Sequence, residues 1–316
     1  MDRGFVELLR LLGNEAQPLE SSKLTELSDL DSLHLAEFAQ AWEAFGANRR
    51  HSILAALGDL ANSKIELNFE AINRIVLADP DPRSRAQAIG NLWESEDPQL
   101  ARLLLDRLRD DPAEDVRKAA GVALGSFVLL AETQDLDARL RLEIEQGLLG
   151  AVRSDPSLEV RDCCLESLGY STLEEVPELI EQAYASGQGS SLRASLRAMA
   201  RSADSRWAAL VMPKLQDPEP DIRLEAVQAT GELDMRQASD ELVDLLGDVD
   251  DRIRKAAIWS LSQVGGSVAT AALEQLQESS SESEAELIQD ALDNLAFEDE
   301  ARDLFILDFN DEDSAA

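Results

Sequence analysis

The stretch DPAEDVRKAAGVALG, residues 111–125, decides the fold, because the chain writes it repeatedly with changed spelling. Other copies are DPDPRSRAQAIGNL (79–92), DPSLEVRDCCLESLG (155–169), DPEPDIRLEAVQATG (217–231) and DVDDRIRKAAIWSLS (248–262). With each arginine as a fixed mark, Arg85, Arg117, Arg161, Arg193, Arg223 and Arg254 follow one another at steps of 32, 44, 32, 30 and 31 residues. Two weaker copies extend the series. RRHSILAALG (49–58) puts Arg50 in the slot, and AELIQDALDNLA (285–296) puts Ile288 there. The count is about eight units, with periods typical of helical solenoid arrays.

Each unit makes physical sense. Asp-Pro ends a helix, because the residue before proline is pushed out of the α region. Two residues later Asp81, Ser157 and Asp250 stand in N-cap positions, and Pro82 and Pro220 fall in the first helical turn, where a missing N–H costs nothing. The next helix carries apolar or small residues at −1, +3 and +7 from the arginine, such as Val116, Ala120 and Leu124, on one helix face. Alanine at +3 (Ala88, Ala120, Ala226, Ala257) admits a close neighbour. Partner helices are predicted over 98–108, 174–185 and 206–216, and no run alternates long enough for a strand.

Composition supports an all-helical reading and restricts function. The 316 residues are 44% apolar but only 4% aromatic, which suits helix packing by Leu, Ala and Val. Sixty-three acidic against 29 basic residues leave a net charge of −34. That field repels phosphate backbones and anionic lipids and attracts basic partners, so neither nucleic acid nor a membrane is expected as partner. The two cysteines, Cys163 and Cys164, are adjacent on a helix and cannot easily bridge each other. With no apparent signal peptide or membrane-spanning run, the expected localisation is cytoplasmic.

The pattern Asp-Pro-x-x-x-Val-Arg-x-x-Ala-x-x-x-Leu-Gly resembles the HEAT repeat, in the short bacterial form called PBS-lyase HEAT-like. The resemblance covers roughly residues 48–297. It implies a right-handed α-solenoid, a superhelix of about eight helix pairs, with the second helix of each pair lining a concave side. Residues 1–47 would then be N-terminal capping helices and 298–316 an acidic tail. It further implies that the turn residues Asp79, Asp111, Asp155, Asp217 and Asp248 and the marked Arg85, Arg117, Arg161, Arg193, Arg223 and Arg254 form a hydrogen-bonded ladder between units.

Three departures stand out. The copy SGQGSSLRASLRAMA (186–200) replaces Asp-Pro with a Gly- and Ser-rich connection, which predicts a looser joint. The 44-residue step carries about a dozen extra residues around 129–141, read as a long loop between helices. The segment DLFILDF (303–309) is expected to fold back over the last helix pair.

Catalytic chemistry finds little support. His34 and His51 lie in different units without the His-Glu pairs that bind iron in deoxyhypusine hydroxylase, a family built on such repeats, so that activity is excluded. Cys164 occupies the +3 core slot, where a small buried hydrophobe is expected. No phosphate loop or serine elbow occurs. No metal or cofactor is expected. What remains is the helix face opposite the core, slots +1, +5 and +8, which carries His51, Trp93, Lys118, Val122, Glu166, Gln228, Lys255 and Trp259, with Tyr170 one step further along and Glu225 as the alternative to Gln228. Tryptophan and tyrosine are enriched in binding hot spots, whereas Trp42 and Trp207 are expected in the core. The reading is a non-enzymatic scaffold that holds a protein or peptide, basic or with an exposed apolar segment. The alternative is an accessory subunit of a lyase or cofactor-maturation complex, as the bilin lyases are.

Overall fold

The computed structural model describes residues 3–134, 136–187, 189–278, 281 and 284–297, and every described element is helical. The chain divides into two compact units, Met1–Ser171 and Thr172–Ala316. Unit 1 contains α1 (Arg3–Leu12), α2 (Ser21–Leu24), α3 (Ser32–Ala44), α4 (Ala47–Ser63), α5 (Glu70–Val76), α6 (Pro82–Gly90), α7 (Pro98–Asp110), α8 (Glu114–Thr133), α9 (Ala138–Ser154) and α10 (Leu158–Leu168). Unit 2 contains α11 (Val176–Ala185), α12 (Gly189–Arg201), α13 (Ala208–Val211), α14 (Pro220–Glu232), α15 (Ser239–Leu245), α16 (Asp251–Val264) and α17 (Gly266–Gln277), then helical residues 284–297. Short 3-10 turns flank α13 and precede α15. The acidic tail from 298 and the 303–309 segment lie outside the described residues.

Helices that carry the marked arginines stack on one another. In unit 1 α4 packs on α6, α6 on α8 and α8 on α10; in unit 2 α12 packs on α14 and α14 on α16. Their partners form a second layer, in which α3 stacks on α5, α7 on α9 and α15 on α17. The core is the seam between these layers. Val116, Ala120 and Leu124 are fully buried there, as are Ala88, Ala226 and Ala257. No single pair buries its apolar face alone, so each layer depends on its neighbours.

The repeat's terminal glycine has a steric cause. A Cβ on Gly125 would lie 2.8 Å from Ser167 Oγ, and one on Gly231 would lie 3.0 Å from Ser260 Cα. With glycine there, the next helix comes close enough for Ser167 Oγ to donate to Gly121 O at 2.9 Å and Ser260 Oγ to Val227 O at 2.7 Å. Slot +8 therefore faces the next layer at Gly125 and Gly231, correcting its assignment to the free face.

The ladder has one geometry repeated. Arg85 makes a two-pronged bond to Asp111, Nε–Oδ2 2.8 Å and Nη2–Oδ1 2.7 Å, while its Nη1 donates to the carbonyls of Asp79 and Pro80. Arg117 treats Asp155 likewise at 2.8 and 3.0 Å, and Arg223 treats Asp248 at 3.0 and 3.2 Å. Arg50 reaches Asp79 at 2.7 Å. Each turn aspartate also accepts from the backbone N–H two residues on, 2.8 Å at Asp79 and Asp155 and 3.0 Å at Asp111. Aspartate suits the slot because its short side chain closes this turn and still presents oxygen to the arginine.

Four ladder residues go elsewhere. The Nε of Arg161 is shielded from water and bonds nothing. Arg193 pairs with Asp221 at 3.3 Å rather than Asp217, whose carboxylate Lys214 has taken at 3.0 Å. Arg254 keeps the Asp248 carbonyl at 2.9 Å but turns its other arm to Asp251 on its own helix. The expected loop around 129–141 is also corrected. The extra residues lengthen two helices, α8 to 20 residues and α9 to 17. Phe127 and Val128 on one side and Leu140 and Ile144 on the other still meet the core, so the helical period has apolar surface to cover. Asp137 caps α9 by accepting from Leu140 N at 3.0 Å. The expected joint at 186–188 includes residue 188, outside the described residues.

Candidate partner-binding face

In unit 1 the face carries an exposed apolar stripe. Val122, at slot +5 of α8, is 51% exposed, and Trp93, just beyond the end of α6, is 58% exposed. Residues 122, 126, 129, 130 and 133 share one side of α8 by helical spacing. The last four join Trp93, Phe127, Glu94 and Glu96 around a cavity of about 380 Å³. Phe127 forms part of its floor and Leu129 is exposed, while two carboxylates sit on the rim. The Trp93 indole N–H reaches Asn62 Oδ1 at 3.4 Å, a long bond that holds the ring weakly. Leu129, Leu130, Glu94 and Glu96 were not singled out from the sequence. For the two leucines the signal was present in the period of α8, but reading 129–141 as a loop interrupted it.

The remaining unit 1 residues are engaged in the fold. His51 donates from Nε2 to Asp81, the N-cap of α6, so it ties two layers together. Lys118 bonds Glu159 at 2.8 Å, and that bond pushes its ammonium up from the usual lysine range. Glu166 and Tyr170 are half-buried.

In unit 2 Gln228 and Lys255 are exposed, and Lys255 pairs with Asp251 at 2.7 Å. Trp259 is 38% exposed, and its ring edge lies 2.7 Å from where a Cβ on Gly231 would be. It therefore leans on the preceding helix as well as facing solvent. Glu225 is a correction. It is buried and held by Arg197 of α12, with Nε–Oε2 at 2.8 Å, because slot +2 turns toward the preceding helix rather than outward. Trp42 and Trp207 are buried in the core of their units.

Among the described residues, no group of three or more His, Cys, Asp or Glu side chains could hold a metal ion. None of the described helices is long and apolar enough to cross a membrane. A cavity of about 530 Å³ lies away from the face between α7 and α9, where Gly147 and Gly150 leave space over Leu105 and Leu108. Cys163 is half-buried. Cys164 is buried, and burial pushes its thiol far up, so it stays protonated and inert. Cys163 is expected to react with an alkylating reagent well before Cys164, read by mass spectrometry of the folded chain; equal rates would contradict this placement.

The stacked pairs and the arginine–aspartate ladder define the class, an array of helical repeats. The family model of HEAT repeats matches residues 208–296. No curated protein matches the chain. Among solved structures, the chain is similar to the CpcE–CpcF complex of phycocyanin lyase from Nostoc, at 20% identity over 72% of this chain and 94% of that one, TM-score 0.47. It is similar to YibA of Escherichia coli at 18% identity over 75% and 96%, TM-score 0.44. Importin beta aligns at 16% identity over 92% of this chain and 41% of its own, TM-score 0.43.

Proposed function

We propose that this protein is a non-enzymatic scaffold of the cytoplasm that holds a basic protein segment against the face of α8 and Trp93. The observation that carries this reading is the Trp93 cavity. An exposed indole and the neighbouring Leu129 and Leu130 border the cavity with Phe127, and Glu94 and Glu96 supply charge at the rim. An amphipathic segment with lysine or arginine beside its apolar residues matches that arrangement. The net charge of −34 would speed its approach.

Capture from the native host on immobilised full-length chain, followed by mass spectrometry, tests the reading. Trp93→Ala is expected to weaken binding of the captured partner by about 2 kcal/mol or more while helix content stays intact. Added salt should weaken binding as well, since exposed charges are screened within roughly 10 Å at 0.1 M. Undiminished binding by Trp93→Ala would remove the cavity from the interface. Recovery of a second repeat chain together with a bound tetrapyrrole would favour the lyase-accessory alternative instead.

A further inference from the structure

A locally basic surface lies in unit 1, away from Trp93. Helices α7 and α9 each carry three arginines against two acidic residues, in a chain whose net charge is −34. The other helices of their layer, α3, α5, α11, α13, α15 and α17, hold at least as many acidic residues as basic ones. The cavity of about 530 Å³ between α7 and α9 is lined by Leu105 and Leu108 and by the polar Arg109 and Gln146. Arg109 is exposed and pairs with no described residue. Leu142, Gln146 and Gly150 share one side of α9 by helical spacing. Leu142 is 52% exposed, and at Gly150 a side chain would meet nothing within 4 Å, so the groove is open there.

We propose that this groove receives residues 303–309, DLFILDF, from a second copy of the chain. The segment lies outside the described residues, and its five apolar side chains would be a liability in water. Around it, residues 298–316 hold eight acidic groups against Arg302 alone. The groove answers both properties, with leucines for the apolar residues and a free guanidinium for the carboxylates. The last helix pair, where the sequence leads one to expect the segment, answers only the first. There α17 and residues 284–297 carry five acidic side chains and no lysine or arginine, so like charge opposes docking. Reach selects the second copy. Five residues, 298–302, link the segment to the last described helix and span roughly 20 Å. Three helix pairs intervene in the chain between α9–α10 and that helix, and stacked helices stand about 8–10 Å apart. Whole chains repel one another, but charges more than about 8–10 Å apart are screened near physiological salt, so the local match decides. The groove shares no residue with the Trp93 cavity and does not depend on that reading.

The test is light scattering of the full chain over a concentration series at about 0.15 M salt. Self-association is expected, and the tail substitutions Phe305→Ser and Leu307→Ser together should abolish it. Arg109→Glu should weaken it about tenfold or more. Gly150→Leu, which fills the open part of the groove, should abolish it, and both groove variants should keep the helix content of the wild type. An excess of a synthetic peptide of residues 298–316 should return the wild type to monomers, whereas the same residues in scrambled order should not. Trp93→Ala should leave the association unchanged, which separates this groove from the proposed partner-binding face. A wild type that stays monomeric up to about 1 mM would overturn the proposal. So would association that survives the tail substitutions, since another surface would then join the copies. Tail-dependent association indifferent to both groove variants would move the segment elsewhere and overturn it too.

Discussion

Arg85→Ala is expected to destabilise the protein by about 3–5 kcal/mol, because it breaks a buried ion pair and leaves one partner behind. The Arg85 and Asp111 side chains are only 9% and 1% exposed, so water cannot replace what the guanidinium provides. The substitution removes both prongs to Asp111 and the donation to the Asp79 and Pro80 carbonyls at once. Arg107, 3.6 Å from Asp111, is too far to form a comparable bond. Chemical denaturation of the single variant measures the effect. Arg139→Ala, whose side chain is 86% exposed, should leave the midpoint unchanged. Equal effects at the two positions would remove the ladder from any account of stability.

The same pair fixes a pH dependence. Burial alone would raise Asp111, but the Arg85 bonds, the Ala113 N–H and the nearby positive charge outweigh it and hold the carboxyl below its usual value. Asp155 is held low in the same way by Arg117 and Ser157 N–H. Unfolding returns both to an ordinary aspartate near about 3.9, so the unfolded chain binds more protons in that range. The stabilisation is fully present above that value and is lost as pH falls through the lower, folded values. The gap between wild type and Arg85→Ala should therefore be widest near neutrality and shrink in acid. A gap that widens in acid would reverse the assignment.

Trp42→Ala is expected to cost about 3–5 kcal/mol as well, by a different route. The indole is buried, stacks on Phe38 at 5.4 Å between ring centres and meets Phe45 edge-on at 6.0 Å. Its removal leaves a void that rigid neighbours fill only in part. Its Nε1–H also donates to Asp79 at 2.6 Å, so the first ladder carboxylate loses a donor. Trp42→Phe separates the two contributions. It keeps most of the apolar volume and should cost about 1.5–3 kcal/mol, the range for one hydrogen bond to a charged group. Thermal unfolding of both variants decides; similar losses would show that the hydrogen bond, not the packing, carries the effect.

The recurring sentence determined a large part of this molecule by itself. A residue before proline leaves the helix, an aspartate two positions before the next N-cap closes the turn, and apolar slots at −1, +3 and +7 share a face; all of these are local rules. Val116, Ala120 and Leu124 therefore lie in the core as their spacing requires. The ladder of Arg85, Arg117 and Arg223 was expected from the resemblance to HEAT repeats, and it forms because identical turns place identical groups within reach.

Tertiary structure decided what depends on a particular neighbour. Arg193 takes Asp221 and Lys214 claims Asp217, because each outcome depends on which carboxylate another segment delivers. Glu225 turned inward because Arg197 came from α12 to meet it. Gly125 packs against Ser167 although a helix wheel aims its slot at solvent, since a wheel records direction on one helix and not the distance to the next. The residues at 129–133 became helix because Phe127 and Val128 found core to cover, and that extension built the Trp93 cavity.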